Sequence, residues 1–372
     1  MAITQSTASP AHVIPVALIG VGEIAMNTHL PTLTLCSHMF KPVALVDISE
    51  QALAHCSQKF HVPKTYTTVD AMLADCPEVE LVMIMNANEY HAIHAVQCLK
   101  AGKNVFIEKP MAMTVEGAND IEAARVASGK VVFVGYMRRY ATAFLRVKEE
   151  LSKVASGHIN YIRVRDIIGM NDLFVEQSGT FPLKFTDFPA GSGAERGKLS
   201  ELQLAQSLGV KAGNELDQRT WMLLNGLASH DLSALRELVG MPQRILSAVR
   251  SPDGLFVWVT MQYPGFVTYY EMGIDNVRKF DAHIEVYAKD RHFKVTYDTP
   301  YVKGLPITTT ILRSLENGDH SEEVIRPTFE DAFTLEYKAL YASLTQGAEV
   351  KTSVVDEDLV LFKMIMDAMV TV

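Results

Sequence analysis

Cysteine is scarce in this 372-residue chain, and the four that occur, Cys36, Cys56, Cys76 and Cys98, all fall in its first third. No C-x-x-C pair is among them, which argues against a structural zinc site. They read as reduced, mostly buried thiols of a cytoplasmic protein. Long apolar runs are also missing, so no stretch is expected to span a bilayer. The opening MAITQSTASPAH lacks the basic and apolar regions of a secretion signal and reads as a short disordered lead. The final MVTV carries no peroxisomal or lipidation tag. Positive charge is in deficit: the formal net charge is -9, with acids and bases interspersed. That balance speaks against nucleic acid or an anionic membrane surface as the main partner. What remains is a chain 48% hydrophobic and 21% charged, ordinary for a globular protein and long enough for two domains.

The first third alternates apolar strand-like runs with helical stretches, the pattern of a doubly wound parallel sheet. Residues 14–20 form an apolar run that ends in Gly20-Val-Gly22-Glu23-Ile24-Ala25, a G-x-G-x-x-A turn. Gly20 permits the tight turn, Gly22 lets the backbone approach a pyrophosphate, and Ala25 lets helix and strand pack closely. The helix after it, near 24–38 and interrupted by Pro31, offers backbone N–H groups to phosphates. A second strand, 42–47, ends in Asp47, 27 residues past Gly20. A carboxylate there accepts from the ribose hydroxyls and repels a 2′-phosphate, favouring NAD over NADP. Asp47 could otherwise cap the helix at 49–59, a job open to Ser49 as well. A further strand, 79–85, runs into Asn86-Ala87-Asn88-Glu-Tyr-His91. Val105–Ile107 then leads straight into Glu108-Lys109-Pro110, a charged pair at the end of a buried strand, where α/β folds place their ligands. On its own this could equally be a surface ion pair after an edge strand.

Taken together, these segments resemble the glucose–fructose oxidoreductase/inositol dehydrogenase family, Gfo/Idh/MocA. The resemblance rests on Gly20-x-Gly22-x-x-Ala25, Asp47, Asn88-x-x-His91, Ala101-Gly102-Lys103, Glu108-Lys109-Pro110 and Gly135-Tyr-Met-Arg138-Arg-Tyr140, and covers about the first 140 residues. Asn86 and Ala87 stand where the family has Thr-Pro. The resemblance implies an N-terminal Rossmann domain over 1–140 and a C-terminal α+β domain over 141–372 with an open, mostly antiparallel sheet. It implies an NAD(P)-dependent oxidoreductase acting on a hydroxyl or carbonyl of a sugar or cyclitol. The cofactor contacts would be Gly20, Gly22, Glu23, Ile24, Asp47, Asn86, Ala87, Asn88, His91, Glu108, Lys109 and Arg138, with Lys109 beside the nicotinamide and the reacting oxygen. A small-molecule substrate follows from the same likeness, and a homodimer or homotetramer is the general expectation for such a chain.

Beyond residue 140, strand-like segments are expected at 158–167, 243–250, 256–262, 267–273, 279–287, 292–297 and 307–312, and helices at 141–154, 329–346 and 356–369. The segment 169–215, rich in Gly, Ser and Pro, reads as an irregular insert and a partial lid. Residues 216–239 read as one helix in which His230 interrupts the apolar face. A lone helical histidine is often a satisfied core residue; the resemblance instead makes His230 the acid/base. The family's aspartate four residues earlier is replaced by Gly226, and Asp217, Asn225 and Asp231 do not obviously substitute for it. Two other roles therefore stay open: an enzyme that retains NAD through an elimination or hydrolysis, and a nucleotide-sensing regulator without turnover.

Overall fold

A computed structural model describes residues 12–154, 157–350 and 357–372. The expected disordered lead, 1–11, lies outside the described residues. Strands β1 (Ile14–Ile19), β2 (Phe40–Val46), β3 (Lys64–Tyr66), β4 (Leu81–Ile84), β5 (Asn104–Ile107) and β6 (Val132–Val134) form a parallel sheet in the order 3-2-1-4-5-6. The order reverses between β1 and β4, which opens a crevice at their carboxyl ends. Side chains alternate across the sheet, so Val16 and Leu18 of β1 enter one apolar core and Ala17 and Ile19 the other. Helices Leu30–Leu35 and Glu50–Phe60 cover the first face; His91–Lys100 and Val115–Ser128 cover the second. Lys103 of the Ala-Gly-Lys turn is buried and donates to the carbonyls of Pro77 and Val79, at 3.0 and 2.8 Å, tying the start of β4 to that of β5. All four cysteines are buried and free.

The second sheet comprises β7 (Ile159–Gly169), β8 (Arg244–Arg250), β9 (Phe256–Tyr263), β10 (Phe266–Asp275), β11 (Phe280–Ala288), β12 (Arg291–Tyr297), β13 (Thr308–Ser314), β14 (His320–Ile325) and β15 (Met369–Thr371). Its order is 14-13-12-11-7-10-9-8-15, antiparallel except where β7 meets β10 and β15 meets β8. β14 and β15 were not expected from the sequence. β14 is a polar edge strand, His-Ser-Glu-Glu-Val-Ile, and β15 has three residues, so neither shows the apolar alternation that marks a strand. The insert is not irregular throughout: Ser192–Leu208 is a 17-residue helix. It buries only Leu204 and Leu208, and its glycines mask its periodicity.

The two sheets share one continuous apolar core, which runs from β1, β4 and β5 to the inner face of β7, β9–β12 and the helix Glu357–Asp367. The helix Ala332–Thr345 returns to the first domain. There the Tyr337 hydroxyl meets His29 Nδ1 at 2.7 Å, and His29 Nε2 reaches Glu108 Oε1 at 2.7 Å, all three side chains buried. Burial alone would raise the Glu108 pKa, but the His29 hydrogen bond and the Lys109 charge hold it below the usual carboxylate range. With the carboxylate ionised, Nε2 is the donor and Nδ1 accepts from Tyr337.

Tyr337→Phe is expected to cost about 1–3 kcal/mol of unfolding free energy by leaving His29 Nδ1 buried without its donor. Urea denaturation measures it; an unchanged midpoint would show that the ring packing alone holds this joint.

Candidate active site

The carboxyl ends of β1, β4 and β5 build the floor of the cleft. Gly20 has φ +89°, and a Cβ there would lie 2.6 Å from the Asn86 backbone, so only glycine fits between the ends of β1 and β4. Gly22 is exposed and has nothing within 4 Å of a would-be Cβ, which leaves its backbone open to the cleft. Exposed Glu23 and half-buried Ile24 begin the helix that follows. Asp47 accepts from Val21 N at 2.8 Å through one carboxylate oxygen and from Ser49 N at 2.9 Å through the other. Each oxygen keeps a lone pair for a ribose hydroxyl. The helix cap is Ser49, whose hydroxyl accepts from Ala52 N, so Asp47 is released from that task. The cradle therefore fits a dinucleotide: room at Gly22, a helix start and an acid with spare acceptors.

Asn86, Ala87 and Asn88 turn the chain out of β4. Asn86 Nδ2 is 3.0 Å from His94 Nδ1, and its Oδ1 is buried without a hydrogen-bond partner among the described residues. His91 is buried, with Nδ1 2.7 Å from the Pro110 carbonyl and Nε2 3.1 Å from the Asn86 carbonyl. A neutral ring donates to only one of them, and the shorter contact marks Nδ1 as the donor. Burial lowers its pKa, which keeps the ring neutral. His91 thus pins the ends of β4 and β5 together while also lining the cleft.

Glu108 and Lys109 do not form the direct ion pair that their adjacency suggests. Glu108 turns to His29, and its second oxygen accepts from the Lys109 backbone N, at 3.0 Å. The Lys109 ammonium instead donates to the carbonyl of Gly226, at 2.7 Å, across the domain boundary. Burial lowers its pKa, against the raising influence of Glu108. Gly226 lies in a π-helical turn, Leu224–Ala228, set between the helices Glu215–Leu223 and Ser229–Val239. Such a turn breaks the i→i−4 pattern and leaves carbonyls without regular partners. The backbone oxygen of Gly226 thus takes the place expected of a carboxylate. Of the two acids considered as substitutes, Asp217 is bound to Arg250 at 2.7 Å, and Asp231 pairs with Arg138. Asn225 donates to the Trp221 carbonyl at 2.9 Å.

His230, Lys109, Glu108, His91, Asn86, Asn88 and Ile24 line one cavity of about 210 Å³ together with Met85, Met137, Pro300, Tyr301 and Phe333. Burial, then the Lys109 and Arg138 charges, push the His230 pKa well below the usual histidine value. His230 Nδ1 has no hydrogen-bond partner among the described residues. Tyr301 and Phe333 were missed by sequence reasoning: they come from the loop after β12 and the helix Ala332–Thr345, more than 160 residues past the nearest motif. Burial, with Glu23 and Glu108 nearby, pushes the Tyr301 pKa up to about 12.

Arg138, expected as a cofactor contact, is paired within the protein. Its guanidinium is buried against the second domain, bonded to Asp166 (3.1 Å) and Asp231 and lying 5.0 Å from the Tyr297 ring. Burial, with Asp166 beside it, pushes Asp231 well above the usual carboxylate range.

Residues 14–136 match the profile of the GFO_IDH_MocA oxidoreductase family, with its NAD-binding Rossmann fold. Over those residues the chain is similar to the nucleotide-binding domain of this family. An inositol 2-dehydrogenase/D-chiro-inositol 3-dehydrogenase of Lacticaseibacillus casei is 31% identical over 157 residues, 40% of this chain and 45% of that protein. An inositol 2-dehydrogenase of Paracoccus denitrificans is 31% identical over 38% of this chain and 42% of its own. The chain thus matches less than half the length of these relatives. Over the whole fold it is similar to a levoglucosan dehydrogenase solved with NADH and levoglucosan, at TM-score 0.69 and 17% identity, covering 96% of each chain. It is equally similar to a 3-ketoreductase from Actinomadura kijaniata solved with NADP, at TM-score 0.69 and 15% identity, covering 97% of this chain and 99% of that one. Among the described residues, no helix is long and apolar enough to cross a membrane, and no cluster of His, Cys, Asp and Glu could hold a metal ion.

Two expected outcomes follow from this geometry. A Cβ at Gly226 meets nothing within 4 Å, so Gly226→Asp should fold with a stability within about 1 kcal/mol of the parent; a larger loss in urea melts would show that the π-turn requires glycine. Asp166→Ala removes one carboxylate from a buried pair and should cost about 3–5 kcal/mol. A loss under about 1 kcal/mol in the same melts would mean that the Asp231 pairing alone satisfies Arg138.

Proposed function

We propose that this protein is an NAD(P)-dependent dehydrogenase that oxidises a CH–OH of a small polyhydroxylated molecule, a sugar or cyclitol, with NAD preferred. The observation that carries the reading is the convergence of Lys109 and His230 on one cavity beside the glycine turn. When bound, the nicotinamide supplies the hydride acceptor. The chain's own groups handle the proton and the charge. Lys109, just past the end of β5, directs its ammonium to the reacting oxygen and stabilises the negative charge that grows as the proton leaves. His230, kept neutral by burial and two nearby cations, takes that proton on a ring nitrogen. The Gly226 carbonyl aims the lysine without neutralising it. Asp47 receives the adenosine ribose hydroxyls, which supports the NAD preference. The relatives' names, inositol and levoglucosan dehydrogenases, support the substrate class.

On this reading residues 1–140 bind the dinucleotide, and residues 141–372 bind substrate and mediate assembly as a homodimer or homotetramer. The half-exposed outer face of the nine-stranded sheet, carrying Trp258 and Tyr269, is consistent with that. Four free buried thiols are consistent with a cytoplasmic setting.

NADH formation from NAD across inositols, aldoses and anhydrosugars is expected for one substrate class. Lys109→Met should lower kcat/KM about 10²–10³-fold, and His230→Ala should do so comparably. NADH binding without turnover on any of these substrates would favour a nucleotide-binding regulator instead. The pH dependence has a definite sign. His230 must be neutral to accept the proton, and its pKa is depressed, so activity should hold on acidification through the ordinary histidine range near pH ~6.5 and fall only below it. An acid limb in kcat/KM at or above that range would remove His230 from the role of base.

A further inference from the structure

The insert between β7 and the helix Glu215–Leu223 does not stay within its own domain. The Thr180 hydroxyl donates to the Asn27 side chain, Lys59 Nζ donates to the Thr180 carbonyl at 2.7 Å, and the Phe185 ring lies 5.6 Å from that of His55. Farther on, Arg196 pairs with Glu89 at 3.1 Å. The segment therefore crosses the carboxyl edge of the parallel sheet, from the helix after β2 to the turn after β4. Asp187 sits in this crossing. Its Oδ1 accepts from the Ser49 hydroxyl at 2.5 Å, and its Oδ2 accepts from Gln51 N at 2.9 Å. Ser49 N in turn donates to Asp47. One serine thus bridges two carboxylates, the ribose acid of the first domain and an acid delivered by the second.

We propose that Asp187 is a specificity-determining residue: its carboxylate fills the place where the 2′-phosphate of NADP would be held, and so restricts the cleft to NAD. The proposal rests on the reading of the cleft as a dinucleotide site and adds to it a residue outside the Rossmann domain. A 2′-phosphate beside the second strand needs donors and a cation. The helix that begins at Glu50 would offer its first N–H groups. Here Gln51 N is committed to Asp187 and Ala52 N to the Ser49 hydroxyl. The residues after Asp47, Ile48-Ser49-Glu50-Gln51, carry no cation. The Ser49 hydroxyl and the Gln51 amide hold Asp187 below the usual carboxylate range, so it is charged at neutral pH. An arriving phosphate dianion meets a fixed negative charge on the donors it needs, whereas a neutral 2′-hydroxyl bound to Asp47 meets no such repulsion.

The test is equilibrium binding of NADH and NADPH to the full chain, read from nucleotide fluorescence, for wild type, Asp187→Asn and Asp187→Lys. Asparagine keeps the size and the hydrogen bond from Gln51 but removes the charge; lysine supplies the missing cation. Wild type should bind NADH at least tenfold more tightly than NADPH. The ratio of the NADPH to the NADH dissociation constant should fall at least tenfold in Asp187→Asn and further in Asp187→Lys, while Asp187→Glu restores it. A ratio that stays within threefold of wild type in both substitutions overturns the proposal. So does a parallel weakening of both nucleotides, which would assign the segment to closure alone. Wild type that binds neither nucleotide would sink the dinucleotide reading itself, a result distinct from an unmoved ratio.

Discussion

The ammonium of Lys109 must find an acceptor in a place with little water, and the acceptor it has is a backbone oxygen of the other domain. An ammonium left unpaired at such a position would lose its proton or turn outward, because a desolvated charge is too costly to keep. The Gly226 carbonyl prevents both outcomes. It is a dipole rather than a charge, so it orients the ammonium without quenching it. A carboxylate at the same point would raise the lysine pKa and cancel much of its field. The π-turn, the end of β5 and the docking of the domains are therefore conditions of one hydrogen bond.

Two charge clusters isolate that lysine. On one side Glu108 is drawn away to His29 and Tyr337, so the acid next to Lys109 in sequence is not its partner in space. On the other, Arg138 sits between Asp166 and Asp231. The positive charges of Arg138 and Lys109 both bear on His230 and add to the effect of burial in keeping it neutral. A histidine with a depressed pKa is a weaker base than a free one; in the proposed reaction the nearby ammonium would offset this by lowering the cost of an alkoxide.

The sequence disclosed those parts of the molecule where chemistry and local backbone coincide. The glycine turn, Asp47 and Glu108-Lys109-Pro110 each sit at the end of an apolar β-branched run, and the residue type itself carries the requirement, as when the Asn86 backbone leaves no room for a Cβ at Gly20. It disclosed much less where a role is assigned by distant packing. Nothing in Leu224–Ala228 marks a π-turn, since the apolar spacing there is that of a plain helix. Arg138 lies in a family motif, but its partners Asp166 and Asp231 are 28 and 93 residues away and set its role. Asp187 sits in a Pro- and Phe-containing stretch with no periodicity, and it acquires meaning only from Ser49, 138 residues earlier.

The links between the domains are individually modest. Arg196–Glu89 involves a guanidinium about half exposed, and such a pair contributes about 0–1 kcal/mol. Part-buried Lys303 meets Asp331 at 3.2 Å and the hydroxyl of buried Thr32 at 3.0 Å. What gives these contacts their precision is the apolar core beneath them, which passes without a break from the parallel sheet into the mixed one. Separate domains joined by polar contacts alone would move freely relative to one another. Here the rigid core fixes the distance between the end of β5 and the π-turn, and between Ser49 and the segment carrying Asp187. Single polar groups can then act across the cleft as though they belonged to one element. Charge placed by a packed core, rather than by neighbouring sequence, is what allows a glycine carbonyl to stand in for a carboxylate at one end of the cleft and an inserted carboxylate to stand in for a phosphate at the other.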